Sequence, residues 1–246
     1  MIVFLTSSPT GDLDGRFRVD GIDNRNAFCD ELRKVWKENS RCLLLTATPT
    51  IHARSEEFAG FLWNALNQSN LTTLQVDILD DRHMEISQEE INGYDCIIMG
   101  GGHVPTQNSF IQALGFKEKM QGYDGIVIGI SAGSMNCAEL VYAQPEEAGE
   151  AIDPSYQRFL PGLGLTNINV LPHYQMLKGT SLDGLKLFEE ITMPDSQGKT
   201  FIALPDGSYI MIRDQEVKIC GPALRIYPDH MEEIEKETLS SEEGEK

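Results

Sequence analysis

The sequence has few basic residues and no long apolar stretch, and each shortage argues against a class of protein. Lys and Arg number 20 against 38 Asp and Glu, which gives a formal net charge of −18. A nucleic-acid surface needs clustered Lys and Arg, so we expect no nucleic-acid partner. No apolar run is long enough to span a bilayer, and the first residues lack a signal-peptide pattern, so we expect no membrane partner either.

Cysteine spacing typical of a metal site or a disulfide framework is also absent. The five cysteines are odd in number and scattered, and four lie beside apolar strand or helix residues. We therefore expect buried free thiols and a reducing, cytoplasmic setting. We also expect no metal and no organic cofactor, because the chemistry predicted below needs neither. The cysteines are Cys29, Cys42, Cys96, Cys137 and Cys220.

Apolar strand-like runs alternate with helix-like segments through the first two thirds of the chain. Residues 42–46 and 96–99 read as buried strands, and 74–78 as a strand nearer the sheet edge. A helix is predicted to begin at Ser55, and another to span 110–120. This alternation predicts an α/β fold, with a mostly parallel sheet flanked by helices on both faces.

The last third changes character. We expect a helix around Leu182 to Ile191, then short strands that add antiparallel to the same sheet. No repeat or linker interrupts the chain, so residues 1–230 are predicted to form a single domain and 231–246 an acidic C-terminal tail. The expected strands are Phe201–Leu204, Tyr209–Ile212 and Val217–Ile219.

A short apolar run, 125–128, leads into a Gly-x-Ser-x-Gly pattern at Gly129–Gly133. Strand, sharp turn and helix in this order predict a nucleophile elbow that exposes the hydroxyl of Ser131 at a strand end. The backbone N–H of Ala132 can then stabilise an oxyanion. By itself the pattern is only moderately specific, because Gly and Ser also cluster in ordinary strand-to-helix turns.

A serine hydroxyl needs a neighbouring base, and one histidine lies where a base is expected. His173 follows the predicted strand 168–172, so it shares the carboxyl edge of the sheet with Ser131. His83 and His230 lie in polar or acidic stretches and are expected at the surface. The sequence therefore favours His173 as the general base.

The histidine in turn needs a carboxylate that fixes its tautomer. Asp206, just after residues 201–204, is the leading candidate, although Pro-Asp-Gly also suits a plain turn. Glu146, Glu147 and Asp153 lie in the loop after the serine's helix and remain alternatives. That loop is otherwise a solvated acidic segment, or a group of carboxylates that holds a substrate ammonium group.

A second strand end carries three glycines, Gly100–Gly102, followed by His103. Such a loop lets the backbone approach a ligand and present N–H groups. The spacing does not match a phosphate-binding loop, so a second oxyanion donor is favoured over a plain tight turn. His103 then contacts substrate or caps the next helix.

Four motifs in this order resemble those of the dipeptidase E (alpha-aspartyl dipeptidase) family of serine peptidases, to which cyanophycinase is more distantly related. The likeness runs from the first strand to about Gly221. The order serine, histidine, acid also differs from that of α/β-hydrolases, where the acid precedes the histidine. The motifs are Gly100-Gly101-Gly102, Gly129-Ile130-Ser131-Ala132-Gly133, Pro172-His173-Tyr174 and Leu204-Pro205-Asp206-Gly207-Ser208.

The resemblance implies a fold like the class I glutamine amidotransferase domain, with serine in place of the usual cysteine. It implies Ser131 as nucleophile and His173 as base. The oxyanion donors would be the backbone of Gly101 or Gly102 and that of Ala132.

Two positions depart from the family pattern. Asp206 stands where the dipeptidases tend to carry Glu, and His103 replaces the Asn usual after the glycines. No Arg follows the histidine, so the sequence does not predict aspartyl specificity. We expect His103, Tyr174 and Lys178 to contact the substrate.

Together these observations predict a serine peptidase, monomeric or homodimeric, that hydrolyses dipeptides or short peptides through an acyl-enzyme. The triad is predicted to be Ser131, His173 and Asp206. Two alternatives are an amidohydrolase that acts on a non-peptide amide and a catalytically silent small-molecule-binding protein on the same fold.

Overall fold

A computed structural model describes residues 1–10, 21–214 and 216–234, together with the backbone of 238–240. The strands are β1 (Ile2–Thr6), β2 (Ser40–Leu45), β3 (Thr73–Leu79), β4 (Cys96–Met99), β5 (Ile126–Ile130), β6 (Leu140–Tyr142), β7 (Phe159–Pro161), β8 (Ile168–Leu171), β9 (Ser181–Leu182), β10 (Leu185–Lys186), β11 (Thr200–Ala203), β12 (Tyr209–Arg213), β13 (Glu216–Cys220), β14 (Leu224–Ile226), β15 (Met231–Glu233) and β16 (Thr238–Ser240). The α-helices are α1 (Phe28–Val35), α2 (His52–Gln68), α3 (Gln88–Asn92), α4 (Val104–Leu114), α5 (Phe116–Lys119), α6 (Ala132–Asn136), α7 (Tyr174–Leu177) and α8 (Met193–Asp195). Shorter turns are 3₁₀-helical at Arg25–Ala27 and Asp81–His83 and π-helical at Leu187–Thr192.

Eight strands form the main sheet, in the order β3, β2, β4, β5, β1, β12, β13, β16. The first five run parallel, and the last three are added antiparallel. The predicted α/β class, with a mostly parallel sheet and antiparallel strands added near the C-terminus, is therefore confirmed. The strand predicted near the sheet edge, β3, ends the sheet among the described strands.

A second sheet of four strands, in the order β15, β14, β11, β8, was not expected. The sequence predicted that β11 adds antiparallel to the main sheet; instead it pairs parallel with β8, with Phe201 opposite Asn169. Strand periodicity shows which residues are buried, but it does not show which partner a strand chooses. The pairing of β8 with β11 brings together the residues that follow these strands, His173 and Asp206.

Side chains that alternate along β1 divide the core between the two faces of the main sheet. Phe4 packs with α1 and α2, and Leu5 packs on the opposite face with α4, α5 and the second sheet. Burying one large apolar side chain contributes about 1.5–3 kcal/mol, so both faces stabilise the fold. A third cluster covers the far side of the second sheet, where Phe201 contacts the segment around Phe188.

Three helix predictions need correction. The helix expected from Ser55 begins three residues earlier, at His52, and the expected helix 110–120 is two helices separated at Gly115, whose φ is +58°. The prediction of a helix around Leu182 to Ile191 was wrong over its first half, where β9 and β10 form a hairpin. Asp183 and Gly184, both with positive φ, form its turn, so local turn chemistry prevails over the apolar spacing.

The segment expected to be a tail contains β15, which pairs with β14, and β16, which pairs with β13. Residues 235–237 and 241–246 of that prediction lie outside the described residues, and the single-domain division stays a prediction. None of the described helices combines the length and apolar character needed to cross a membrane.

Candidate active site

The residues singled out from the sequence meet at the carboxyl ends of strands from both sheets. The glycine loop, Gly100–Gly102, follows β4, and Ser131 follows β5 in the main sheet. His173 follows β8 and Asp206 follows β11 in the second sheet. Open α/β sheets gather ligands at this edge, so the site lies where the fold favours one.

Ser131 occupies a strained turn between β5 and α6. Its backbone has φ 51° and ψ −114°, and its carbonyl accepts hydrogen bonds from the N–H groups of Ser134 and Met135. Positive φ is uncommon for a residue with a side chain and typical of a nucleophile elbow. The turn also needs its glycines: a Cβ on Gly133 would lie 2.1 Å from the Met99 carbonyl oxygen.

The imidazole of His173 bridges Ser131 and Asp206. Its Nε2 lies 2.9 Å from the Ser131 hydroxyl oxygen, and its Nδ1 lies 2.7 Å from Asp206 Oδ1. Because an ionised carboxylate only accepts, Nδ1 carries the proton in the neutral ring and Nε2 is free to accept from the serine. This is the orientation that general-base catalysis requires.

Asp206 is ionised and firmly held. Burial raises the pKa of its carboxyl, but hydrogen bonds from His173 and Ser7 outweigh burial and hold that pKa below its usual value. Its backbone N–H donates to Gln175 Oε1 at 3.0 Å. Its side chain is fully buried, whereas that of His173 is 19% exposed. The acid is thus shielded while the base faces the cleft.

Of the four carboxylates considered from the sequence, Asp206 is the one hydrogen-bonded to His173. Asp153 instead accepts from the backbone and hydroxyl of Ser155. Glu146 and Glu147 belong to a loop whose carboxylate Glu150 accepts from both of their N–H groups.

The glycine loop packs directly against the candidate nucleophile. A Cβ on Gly101 would lie 3.5 Å from Ser131 Cβ, which places this backbone beside the serine. On Gly102, whose φ is +153°, a Cβ would lie 2.7 Å from Ala47 Cβ, so only glycine fits without movement. Gly101 therefore lies beside the serine, with Gly102 as the next residue of the same loop.

Buried amides beneath the loop fix its orientation. Gln107, on α4, donates from Nε2 to the Gly100 carbonyl at 2.9 Å. A trans peptide points its C=O and the following N–H in opposite directions, so this bond also sets the direction of the Gly101 N–H. Asn136, on α6, donates to Gln107 Oε1 at 3.0 Å and links the loop to the serine's helix.

His103 connects the glycine loop to the acidic loop, which we define as residues 146–153. Its Nε2 lies 2.9 Å from Glu150 Oε1, and its Nδ1 lies 2.8 Å from Thr106 Oγ1 on α4. Glu146 is an exposed residue, yet desolvation of its carboxyl raises its pKa to about 7, which neighbouring His103 opposes. His173 also acts on this carboxyl, so it lies within electrostatic reach of the base.

Tyr174 and Lys178 lie on and just beyond α7, next to His173. The Tyr174 ring packs edge-on against Phe188, with ring centroids 5.2 Å apart, and its N–H donates to the Leu204 carbonyl. Lys178 is exposed at the end of α7. Tyr174 thus has a packing role in the fold, and substrate contact by either residue stays a prediction.

Two groups of side chains in the described part of the chain have a geometry that would suit a metal ion: His52 with Asp80 and Asp81, and His103 with Glu147 and Glu150. In the first group Asp81 and Asp80 already have protein partners, and in the second His103 is bonded to Glu150. Asp81 pairs with His52, and Arg82 binds Asp80 and holds its pKa low although burial raises it. The candidate mechanism needs neither group.

Sequence reasoning missed Ser7 and Gln107. Ser7 directly follows β1, so its place at the end of a strand beside β5 was a usable signal. Gln107 is a fully buried amide on the inner face of α4, and a buried amide needs hydrogen-bond partners. Neither partner can be read from the local sequence.

A serine, a histidine and a buried carboxylate in this geometry, at the carboxyl edge of an α/β fold, define the serine-hydrolase class. The family comparison agrees and is more specific. The chain belongs to peptidase family S51, whose model matches residues 23–220. It is a serine-type peptidase.

Two solved structures resemble the fold over nearly the whole chain. One is a peptidase from an acI-B1 Actinobacterium, with a TM-score of 0.62 and 15% identity, covering 97% of this chain and 96% of that one. The other is a candidate peptidase E from Listeria monocytogenes EGD-e, with a TM-score of 0.55 and 18% identity, covering 95% and 98%. At these identities the likeness shows the fold. No curated protein matches the chain.

Proposed function

We propose that this protein hydrolyses dipeptides or short peptides with Ser131 as nucleophile, His173 as general base and Asp206 as the orienting carboxylate. The observation that carries the proposal is the continuous hydrogen-bonded path from Ser131 through the imidazole to Asp206, 2.9 Å and 2.7 Å at its two steps. Both distances lie within the range for proton transfer to a positioned base.

In the first half-reaction His173 Nε2 takes the hydroxyl proton as Ser131 Oγ attacks the scissile carbonyl carbon. Asp206 stabilises the imidazolium that forms. The tetrahedral intermediate collapses as the C–N bond breaks, and Nε2 passes its proton to the leaving amine. Water then gives a proton to the same nitrogen as it attacks the acyl carbon. The ester C–O bond breaks, Nε2 returns its proton to Ser131 Oγ, and the acid leaves.

The backbone N–H groups of Ala132 and of Gly101 or Gly102 are the proposed oxyanion donors. Support comes from the contact of Gly101 with Ser131 and from the bond that fixes the Gly100 carbonyl. One such donor contributes about 10²- to 10³-fold to the rate, because it meets charge that develops only in the transition state.

The acidic loop supports a substrate with a free α-amino group. Glu146 lies within electrostatic reach of His173, and Glu150 holds His103 beside the glycine loop. Carboxylates at this side of the cleft attract an ammonium ion, which every dipeptide carries next to its scissile bond. Tyr174 and Lys178 are proposed to contact the rest of the substrate.

The test is hydrolysis of a dipeptide library by the wild-type protein and by Ser131→Ala. We expect cleavage of at least one dipeptide by the wild type and none by the variant. Amino-acid amides in the same screen separate a peptidase from an amidohydrolase on other amides. Equal hydrolysis by both proteins would remove Ser131 from the mechanism.

All five cysteines are buried and free, as the sequence predicted. Free thiols persist under reducing conditions, so we propose a cytoplasmic setting for the reaction. The sequence-based expectation of a monomer or homodimer also stays a proposal.

A further inference from the structure

One buried hydroxyl connects the two sheets at the candidate site. Ser7 follows β1 of the main sheet and is fully buried. Its Oγ lies 2.5 Å from Asp206 Oδ1 and 2.7 Å from the backbone nitrogen of His173. Both partners follow strands of the second sheet, so a single side chain holds the acid and the base from across the sheet junction.

The donor and acceptor roles of these bonds are fixed. An ionised carboxylate only accepts, so the Ser7 hydroxyl donates its one proton to Asp206. The His173 N–H only donates, so the same oxygen accepts from it. Ser7 Oγ also approaches His173 Nδ1 at 3.4 Å, but that ring proton is directed at Asp206 over the shorter distance of 2.7 Å.

The neighbouring residue holds the nucleophile. The Thr6 carbonyl accepts from the Ser131 N–H at 3.1 Å and from the Ser134 hydroxyl at 2.8 Å. Two consecutive residues at the end of β1 therefore hold Ser131 on one side and the His173–Asp206 pair on the other. The separation between nucleophile and base depends on this short segment.

His173 also needs support at its backbone. Its φ of 58° and ψ of 29° lie in the left-handed region, which is strained for a residue with a side chain. The bond from its N–H to Ser7 helps to stabilise this conformation. Without this support the imidazole of His173 would change its position, and a displacement of about 1 Å lowers the rate about a hundredfold.

We infer that Ser7 is a positioning residue of the proposed reaction. It holds the His173–Asp206 pair of the second sheet in a fixed position relative to Ser131 of the main sheet. The inference rests on the proposed function. Ser7 touches neither substrate nor reacting atoms in this role; it acts through the acid and the base.

The test is the rate at which a fluorophosphonate probe labels wild type and Ser7→Ala, measured across the acid limb of the pH profile. We expect Ser7→Ala to label about ten- to a hundredfold more slowly, the usual cost of losing a hydrogen bond to a charged group. Without the Ser7 donor, Asp206 is a stronger acceptor for the protonated imidazole, so the acid limb should also move to higher pH.

Ser40→Ala is the matched control. Ser40 is equally buried, and its hydroxyl donates to the Lys37 carbonyl at 2.7 Å, at the amino end of β2. It should keep the wild-type labelling rate and acid limb. A merely structural effect of deleting a buried hydroxyl would appear in both variants.

Ser7→Cys retains most of the side-chain volume with a weak donor and replaces Ser7→Ala if that variant fails to fold. It should label more slowly than wild type, with the same shift of the acid limb. A folded variant at Ser7 with the wild-type rate and acid limb would overturn the inference. Absence of labelling in the wild type would instead overturn the proposed function.

Discussion

The two sheets contribute to the candidate site in different ways. The main sheet fixes Ser131 and the glycine loop through the backbone, by a strained turn and by glycines such as Gly102 and Gly133 where a Cβ would clash. The second sheet presents His173 and Asp206 as side chains held by hydrogen bonds. Changes to the glycines of the main-sheet half should therefore lower stability first, whereas changes in the second-sheet half should lower activity first.

Gly133→Ala should have the largest effect. A methyl group at this position would lie 2.1 Å from the Met99 carbonyl oxygen, so backbone must move. We expect a loss of at least about 3 kcal/mol in the free energy of unfolding, measured by denaturant titration, with loss of activity. Gly60→Ala is the control, because a Cβ there meets nothing within 4 Å on helix α2 and should stabilise by about 0.5–1 kcal/mol. Equal stability of the two variants would refute the claim that the turn around Ser131 needs its glycine.

Asp206→Asn should lower kcat by about 10³- to 10⁴-fold, because a neutral amide no longer fixes the His173 tautomer or stabilises its imidazolium. The free energy of unfolding should change far less than in Gly133→Ala. Asp80→Asn is the control: its side chain is equally buried and pairs with Arg82 outside the site. Activity that falls in both variants in step with stability would contradict the assigned role.

Gln107→Leu should slow the reaction by about ten- to a hundredfold, because the Gly101 N–H loses the bond that sets its direction. Gln112→Leu removes a glutamine on the same helix that donates to the Pro161 carbonyl, and it should keep full kcat. Steady-state kinetics of both variants gives the comparison. Similar kcat values for the two would show that Gln107 does not orient the oxyanion donor.

Glu146→Gln should have the smallest effect and act on binding. Because desolvation raises the pKa of Glu146 to about 7, its carboxyl is neutral below that pH and charged above it. In wild type KM should fall as pH rises from about 6 to 7.5, below the pKa of a substrate α-amino group. The variant should lose this dependence, and Asp153→Asn, in the same loop, should keep it. A KM in Glu146→Gln with the wild-type pH dependence would exclude the carboxyl from substrate binding.

The two halves of the site also differ in how much of each can be predicted from the sequence alone. The turn around Ser131 is local, so glycine spacing after an apolar run was enough to predict it. His173 was predicted because a strand end precedes it, but Asp206 competed with three other acids and with a plain turn. Which of them meets the imidazole depends on how β11 pairs, and that pairing was predicted wrongly.

The contact of Ser7 with Asp206 could not be predicted from the sequence. Ser7 is 199 positions from Asp206, and the bond between them exists only because two sheets meet at their carboxyl edges. Strand periodicity gives the ends of strands, and the class of the fold follows from it. The contacts that join one sheet to another come from tertiary packing, so they require the structure.

Activation of Ser131, at the edge of the main sheet, by His173 of the second sheet underlies every step of the proposed reaction. Peptide mapping after fluorophosphonate labelling tests it most directly, with wild type and His173→Ala in parallel. We expect a single adduct on Ser131 in the wild type and almost none in His173→Ala, although its serine is intact. An adduct on another residue, or wild-type labelling of Ser131 in His173→Ala, would contradict it.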